Sequence, residues 1–252
     1  MLDLNSNELI HMKTSLKILF ACSFLLLCMP QSIDAQVSAR DNYNYLDFQK
    51  KPYYFGMSFG YNSSGYRINR SKEFVGNNEV NVVESISGPG VNLNMIANLK
   101  IGDFFDFRVL PGFSFSERNF EFINTDVEMP RSVRKIESVF FELPFQLRFK
   151  SLPYKDKRIF VIVGTKYTFD VQSNSRTRVE LAESLIQISP HDFQLEYGVG
   201  MQFFFPYFIF SPEIKISRGI GNIHIYKGSL NESRILESVQ SSIFTLSFHF
   251  EG

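Results

Sequence analysis

The feature that most constrains the fold is a pair of long alternating segments between Phe193 and Ile216. From Phe193 to Phe205, bulky apolar side chains alternate with small or polar ones, which is the side-chain period of a β-strand. The alternation restarts after Pro206 and Tyr207, so the two segments predict an antiparallel hairpin with a short turn. Each arm has roughly ten or more residues, which suits a tilted strand that crosses a bilayer better than a strand of a soluble sheet.

The same alternation recurs along the chain and predicts eight strands in total. Their connections alternate between short turns and long polar segments, and one of the short turns contains Gly102, which can supply a positive φ. Outer-membrane barrels have this organisation, with an even number of strands, short periplasmic turns and longer external loops. The further strands are predicted at 53–61, 91–99, 105–115, 139–149, 159–171 and 244–250, and the long loops at 62–90, 116–138, 172–192 and 218–242.

The volume of the barrel decides which face of these strands points outward. The bulky faces are rich in aromatic residues, and the chain contains 28 Phe and 11 Tyr. An eight-stranded barrel encloses little more than its own side chains, so the bulky faces cannot all point inward. We therefore expect an all-β fold, an eight-stranded antiparallel up-and-down transmembrane β-barrel with an apolar face toward lipid. The alternative is a two-sheet sandwich with that face packed inside.

The N-terminus has the layout of a secretory signal peptide. Lys13 and Lys17 precede an apolar run that is shorter than the roughly 20 residues of a membrane-spanning helix. Cleavage is predicted between Ala35 and Gln36, and Met12 is an alternative start. The predicted domains are a signal peptide at 1–35, a periplasmic lead-in at 36–52 that shows no sustained period, and an outer-membrane barrel at 53–252.

The small face of the predicted strands carries charged residues. A charge in a narrow lumen is costly unless it is paired, so we expect these side chains to form salt bridges with one another rather than an ion path or a catalytic cluster. The predicted polar lumen cluster consists of Arg108, Glu142, Arg148, Lys166, Asp170, Glu196, Glu213 and Lys215.

The sequence argues against other classes of site. Both cysteines, Cys22 and Cys28, lie in the predicted signal peptide, which removes disulfides and Cys-based sites from the mature chain. Basic and acidic residues balance at 26 each, so no nucleic-acid partner is expected, and the dispersed histidines predict no metal or other cofactor. An alternative enzyme interpretation is a lipid-modifying hydrolase that uses Ser247 and His249 with a lumen glutamate. That pair would face the lumen, away from a lipid substrate.

The predicted external loops carry scattered basic residues, among them Arg67 and Arg70. One interpretation is an ordinary solvated surface. The other is a set of contacts with lipopolysaccharide phosphates or with a protein partner. The sequence leaves both open.

Three segments resemble a known family. They are 45–56 (YLDFQKKPYYFG), 106–115 (DFRVLPGFSF) and 141–145 (FELPF). With the sequence around them, they resemble the PorT family of Bacteroidetes outer-membrane barrels over nearly all of the predicted mature chain. The resemblance implies a non-enzymatic component of the type IX secretion system, needed for export of proteases and adhesins and, in gliding species, for motility. The expected partners are outer-membrane lipid, lipopolysaccharide and other secretion-system proteins, and a surface adhesin is a further alternative.

Overall fold

The computed structural model describes residues 42–70, 80–124, 131–172, 187–225 and 236–252. The predicted signal peptide, its cleavage site between Ala35 and Gln36, and the first residues of the lead-in lie outside these ranges. Within the described ranges, no helix is long and apolar enough to cross a membrane.

Strands dominate the described part of the chain, and one short helix precedes them. The helix lies in the lead-in, where the sequence predicts no regular element. The elements are α1 (Tyr43–Gln49), β1 (Tyr53–Arg70), β2 (Val80–Ile101), β3 (Phe105–Val109), β4 (Gly112–Asn124), β5 (Arg131–Lys150), β6 (Lys157–Asp170), β7 (Gln187–Ile188), β8 (His191–Phe204), β9 (Ile209–Gly219), β10 (His224–Ile225) and β11 (Leu236–Glu251).

The longer strands form a closed antiparallel ring. Apart from β3 and β4, long strands that follow one another along the chain pair with each other. β1 also pairs with β11, which closes the sheet on itself. β3 and β4 share the neighbours β2 and β5 and are separated only at Leu110 and Pro111, where Pro111 has no N–H to donate. They therefore occupy one position in the ring, which has eight positions. The predicted eight-stranded up-and-down barrel is confirmed, and the closing pair β1–β11 rules out the sandwich.

The hairpin that dominated the sequence consists of β8 and β9, joined by the short turn at 205–208. Along β8, Gln194 and Glu196 are buried while Leu195 and Tyr197 are exposed, so the two faces alternate as predicted. Gly102 adopts φ +80° in the turn between β2 and β3, as its position in the sequence predicts.

The loops at one end of the barrel are shorter than predicted. β1 continues to Arg70 and β2 begins at Val80, so most of the segment 62–90 is strand rather than loop. In the same way, β4 and β5 occupy most of 116–138, and β11 begins at Leu236 within 218–242. The reason is that alternation of apolar and polar residues marks a strand only where one face meets lipid. Beyond that zone the regular alternation is lost, as at outward Arg67 and Gln240, while the backbone ladder continues.

Candidate functional site

The barrel lumen is filled by ion pairs, and Arg148 is the centre of the group nearest the short turns. Its Nη2 lies 2.9 Å from Asp106 Oδ2 and its Nη1 lies 3.2 Å from Glu251 Oε1. Lys150 pairs with the other carboxylate oxygen of Asp106, and Arg148 also donates a hydrogen bond to the Tyr54 hydroxyl. All five side chains are buried. Two cations and two carboxylates thus compensate one another in a place that excludes bulk water.

Arg108 connects this group to the middle of the lumen. Its guanidinium pairs with Glu213 and lies 3.5 Å from Glu251 Oε1. It also donates to Gln146 Oε1 at 2.7 Å, and Gln146 Nε2 donates to Glu196 Oε2 at 2.6 Å. The chain of contacts crosses the barrel from β3 to β8 and β9, so it ties opposite walls together.

Lys166 lies at the centre of the next group. Its Nζ is 3.1 Å from Glu142 Oε1 and 3.5 Å from Glu196 Oε1. Glu196 also accepts a hydrogen bond from Ser217 Oγ at 2.8 Å and lies 3.9 Å from Lys215 Nζ. Both oxygens of Glu196 are therefore occupied, as a buried carboxylate requires.

Toward the opposite end of the lumen, Arg118 lies across the barrel. Its guanidinium carbon is 4.4 Å from the Phe140 ring centroid, and Nη1 donates to Ser241 Oγ at 3.2 Å. Since Arg118 and Phe140 are both buried, this layer fills the lumen above the ion pairs.

The structure buries every residue of the predicted polar lumen cluster. Asp170 Oδ1 accepts the backbone N–H of Gln172 at 3.0 Å. Ion pairs involve Arg108, Glu142, Arg148, Lys166, Glu196, Glu213 and Lys215.

Sequence reasoning missed several members of the network. Asp106 and Lys150 occupy positions of their strands at which the alternation points the side chain inward, that is, positions of inward parity. This alternation is the signal that could have found them. Arg158, which donates to Gln202, was missed because the predicted strand began too late, at 159. Glu251, which accepts from Gln202, was missed because the last predicted strand ended one residue too early, at 250. Tyr54 also has inward parity, but an aromatic side chain among glycines and serines did not fit the predicted small face.

The helix α1 covers the short-turn end of the barrel. Tyr45 and Phe48 are buried against Phe204 and Ile209, and the rings of Tyr45 and Phe204 meet edge to face with centroids 5.1 Å apart. Burial raises the pKa of the Tyr45 hydroxyl, so it stays neutral. Lys100 donates to the Phe48 carbonyl oxygen near the helix C-terminus, where a cation complements the helix dipole.

The turn between β5 and β6 holds this helix through Asp156. The Asp156 carboxylate accepts the Tyr45 N–H at 2.9 Å and the Asn44 side-chain amide at 3.2 Å, and the Asp156 N–H donates to Asn42 Oδ1 at 3.1 Å. Lys155 and Asp156 have φ values of 50° and 55°, a conformation that non-glycine residues seldom adopt. This turn directs the Asp156 carboxylate toward α1.

Ser247 and His249, the pair of the alternative hydrolase interpretation, both lie on the inward face of β11 and are buried. His249 Nε2 is 3.3 Å from Glu213 Oε2, so the histidine packs against the ion network. A lipid in the surrounding bilayer has no contact with either side chain. In the described ranges, no group of three or more His, Cys, Asp or Glu residues is arranged to hold a metal ion.

Residues 35–224 match the family described as outer membrane protein beta-barrel domain. This is more than half of the chain, so the chain belongs to that family. The protein is an outer-membrane β-barrel, and the predicted location in the cell outer membrane is confirmed.

Solved structures of outer-membrane barrels are similar to the chain. Ail, the attachment invasion locus protein of Yersinia pestis, solved in complex with the heparin analogue sucrose octasulfate, is 13% identical with a TM-score of 0.34. The match covers 80% of this chain and 100% of Ail. OprG from Pseudomonas aeruginosa is 10% identical with a TM-score of 0.42, and the match covers 79% of this chain and 95% of OprG. No curated protein matches the sequence.

Proposed function

We propose that this barrel is a non-enzymatic component of the type IX secretion system that acts through contacts with other proteins. The observation that carries the proposal is the filled lumen. Arg108, Gln146, Arg148 and Glu196 have no exposed surface, and α1 covers one end. Cargo therefore has no route through the barrel, and the protein must act through its outer surfaces. The resemblance to the PorT family supports the assignment to this secretion system.

The short-turn end is the surface that best fits a protein contact. Lipid covers the apolar wall, which leaves only the two ends for partners. At the short-turn end, Tyr43 of α1 is 73% exposed and Tyr207 of the β8–β9 turn is 90% exposed. Exposed tyrosines on a rigid scaffold are typical of protein interfaces, because they bury a large area at a low entropic cost. Short turns of such barrels face the periplasm, where a secretion machine would meet them.

The first experiment is deletion of the gene in the source bacterium, followed by measurement of secreted cargo that bears the C-terminal export domain of this system. We expect secretion to be lost and to return with the wild-type gene. Complementation with Tyr43→Ala and Tyr207→Ala together should restore a folded barrel in the outer membrane without restoring secretion. Ile225→Ala, a matched change at the other end, should restore both. Unchanged secretion in the deletion strain would overturn the proposal.

The hydrolase alternative has a separate test. Purified barrel is incubated with lipid A, and released fatty acid is measured beside Ser247→Ala. We expect no release from either protein. Deacylation that disappears in the Ser247→Ala variant would show that the barrel is an enzyme.

A further inference from the structure

Two arginines lie on the lipid-facing side of the barrel at the end with the longer connections. Arg67 of β1 is opposite Gln240 of β11, and Arg218 of β9 is opposite Ser242 of β11. All four residues have outward parity, and both arginines are exposed. Gln240 and Ser242 are two residues apart on one strand, so strand spacing places the two arginines roughly 12 Å apart.

Arg218 lies at the margin of the apolar wall, and Arg67 lies beyond that margin. Arg218 follows the outward residues Ile214 and Ile216, and its neighbour Ser242 comes next to outward Phe244. On β1, the outward positions Ser63 and Gly65 separate Arg67 from Tyr61, so Arg67 lies farther from the apolar wall than Arg218 does. The long connections of these barrels face the cell exterior, so this margin meets the headgroups of the outer leaflet.

No described side chain forms an ion pair or hydrogen bond with Arg67 or Arg218. The outward neighbours on β11 are hydroxyl and amide groups, and Asn69 Nδ2 donates to Ser238 Oγ at 2.8 Å.

We propose that the strip formed by Arg67, Arg218 and the outward polar residues of β11 binds a phosphorylated glycolipid of the outer leaflet. A guanidinium binds phosphate through two parallel hydrogen bonds and is less strongly hydrated than an ammonium group. The hydroxyl and amide groups between the arginines match sugar hydroxyls, and Tyr61 and Phe244 below them match acyl chains. A soluble anion would contact only the arginines and would leave these polar and apolar groups without a partner. The site is independent of the proposed role in secretion.

The test is a binding titration of purified barrel in detergent, followed by native mass spectrometry. The probes are diphosphoryl lipid A, the same lipid A without phosphates, and inorganic phosphate. We expect the wild-type barrel to prefer diphosphoryl lipid A over the dephosphorylated lipid by about tenfold or more, because each arginine contributes charge-assisted hydrogen bonds. The double variant Arg67→Gln/Arg218→Gln should lose this preference, and Arg67→Lys/Arg218→Lys should recover part of it.

The matched control is Lys155→Gln/Lys157→Gln, which removes two exposed cations at the short-turn end. This control should bind lipid A like the wild type. The proposal is overturned if the arginine double variant keeps the wild-type preference, or if the lysine control loses as much. Binding of inorganic phosphate as tight as that of lipid A would also overturn it. Heat-modifiable electrophoretic mobility verifies that each variant is folded, which is expected because all four side chains are exposed.

Discussion

The two faces of the barrel strands follow opposite rules. On β8 the inward Gln194 and Glu196 are completely buried, while the outward Leu195 and Val199 are about half exposed. The lumen is stabilised by matching of charges and hydrogen bonds, whereas the wall is stabilised by transfer of apolar groups to lipid. A polar substitution should therefore be costly on the wall, and loss of a charge should be costly in the lumen.

The largest effect is expected from Arg148→Met. The substitution leaves the Asp106 and Glu251 carboxylates buried without their shared cation, at an expected cost of about 3–5 kcal/mol. The measurement is urea unfolding of the barrel in lipid vesicles. The adjacent wall variant Phe149→Leu should cost under about 1 kcal/mol, because its side chain faces lipid. Similar costs for the two variants would contradict the comparison.

The reverse test places a charge on the wall. Val199→Arg puts a cation among outward apolar residues near the middle of β8, at an expected cost of about 2–4 kcal/mol. The same unfolding experiment measures this cost, with Val199→Leu as the apolar control at the same position. A wall that tolerated the arginine without loss would argue that Val199 does not face the bilayer core.

Crowding inside the lumen gives a smaller effect. A Cβ at Gly200 would lie 2.3 Å from Cζ of Phe160, whose ring stacks on Arg148 at 5.1 Å. Gly200→Ala should therefore cost about 1–3 kcal/mol through displacement of that ring. At Gly60 the nearest atom is Ser247 Oγ at 3.2 Å, so Gly60→Ala should cost less. Equal unfolding free energies for the two variants would show that the lumen is not tightly packed around Phe160.

The smallest effect concerns α1. Asp156→Gly removes the carboxylate that accepts from Tyr45 and Asn44 while keeping a positive φ accessible, and it should weaken docking of the helix by about 1 kcal/mol. Limited trypsin digestion after Lys50 should become several times faster. Lys155→Gly changes the same turn without removing a contact to α1 and should leave the digestion rate unchanged. Equal rates for wild type and Asp156→Gly would show that the turn does not hold the helix.

Much of the fold could be predicted because alternation is a local property. The strand that begins near Phe193 is predicted by the alternation of its own residues, and the turn at Gly102 is predicted by the glycine itself. The helix α1 could not be predicted in this way. The helix has only 7 residues, which is less than two turns, and it buries only Tyr45 and Phe48. Two buried positions are too few to establish a helical period in the sequence. The candidate site was predictable in part, since parity identifies which charges point inward but not which charges meet.

The sequence by itself determined the strands, their order and the face that each presents to lipid, because an eight-stranded lumen is too narrow for the bulky side chains. Only the tertiary structure decided which charges pair. Arg108 reaches Glu213, and Arg148 reaches Glu251, across more than a hundred residues of sequence. The tertiary structure also decided that α1 covers the short-turn end through Asp156. These contacts depend on the register around the closed ring, which no local pattern contains.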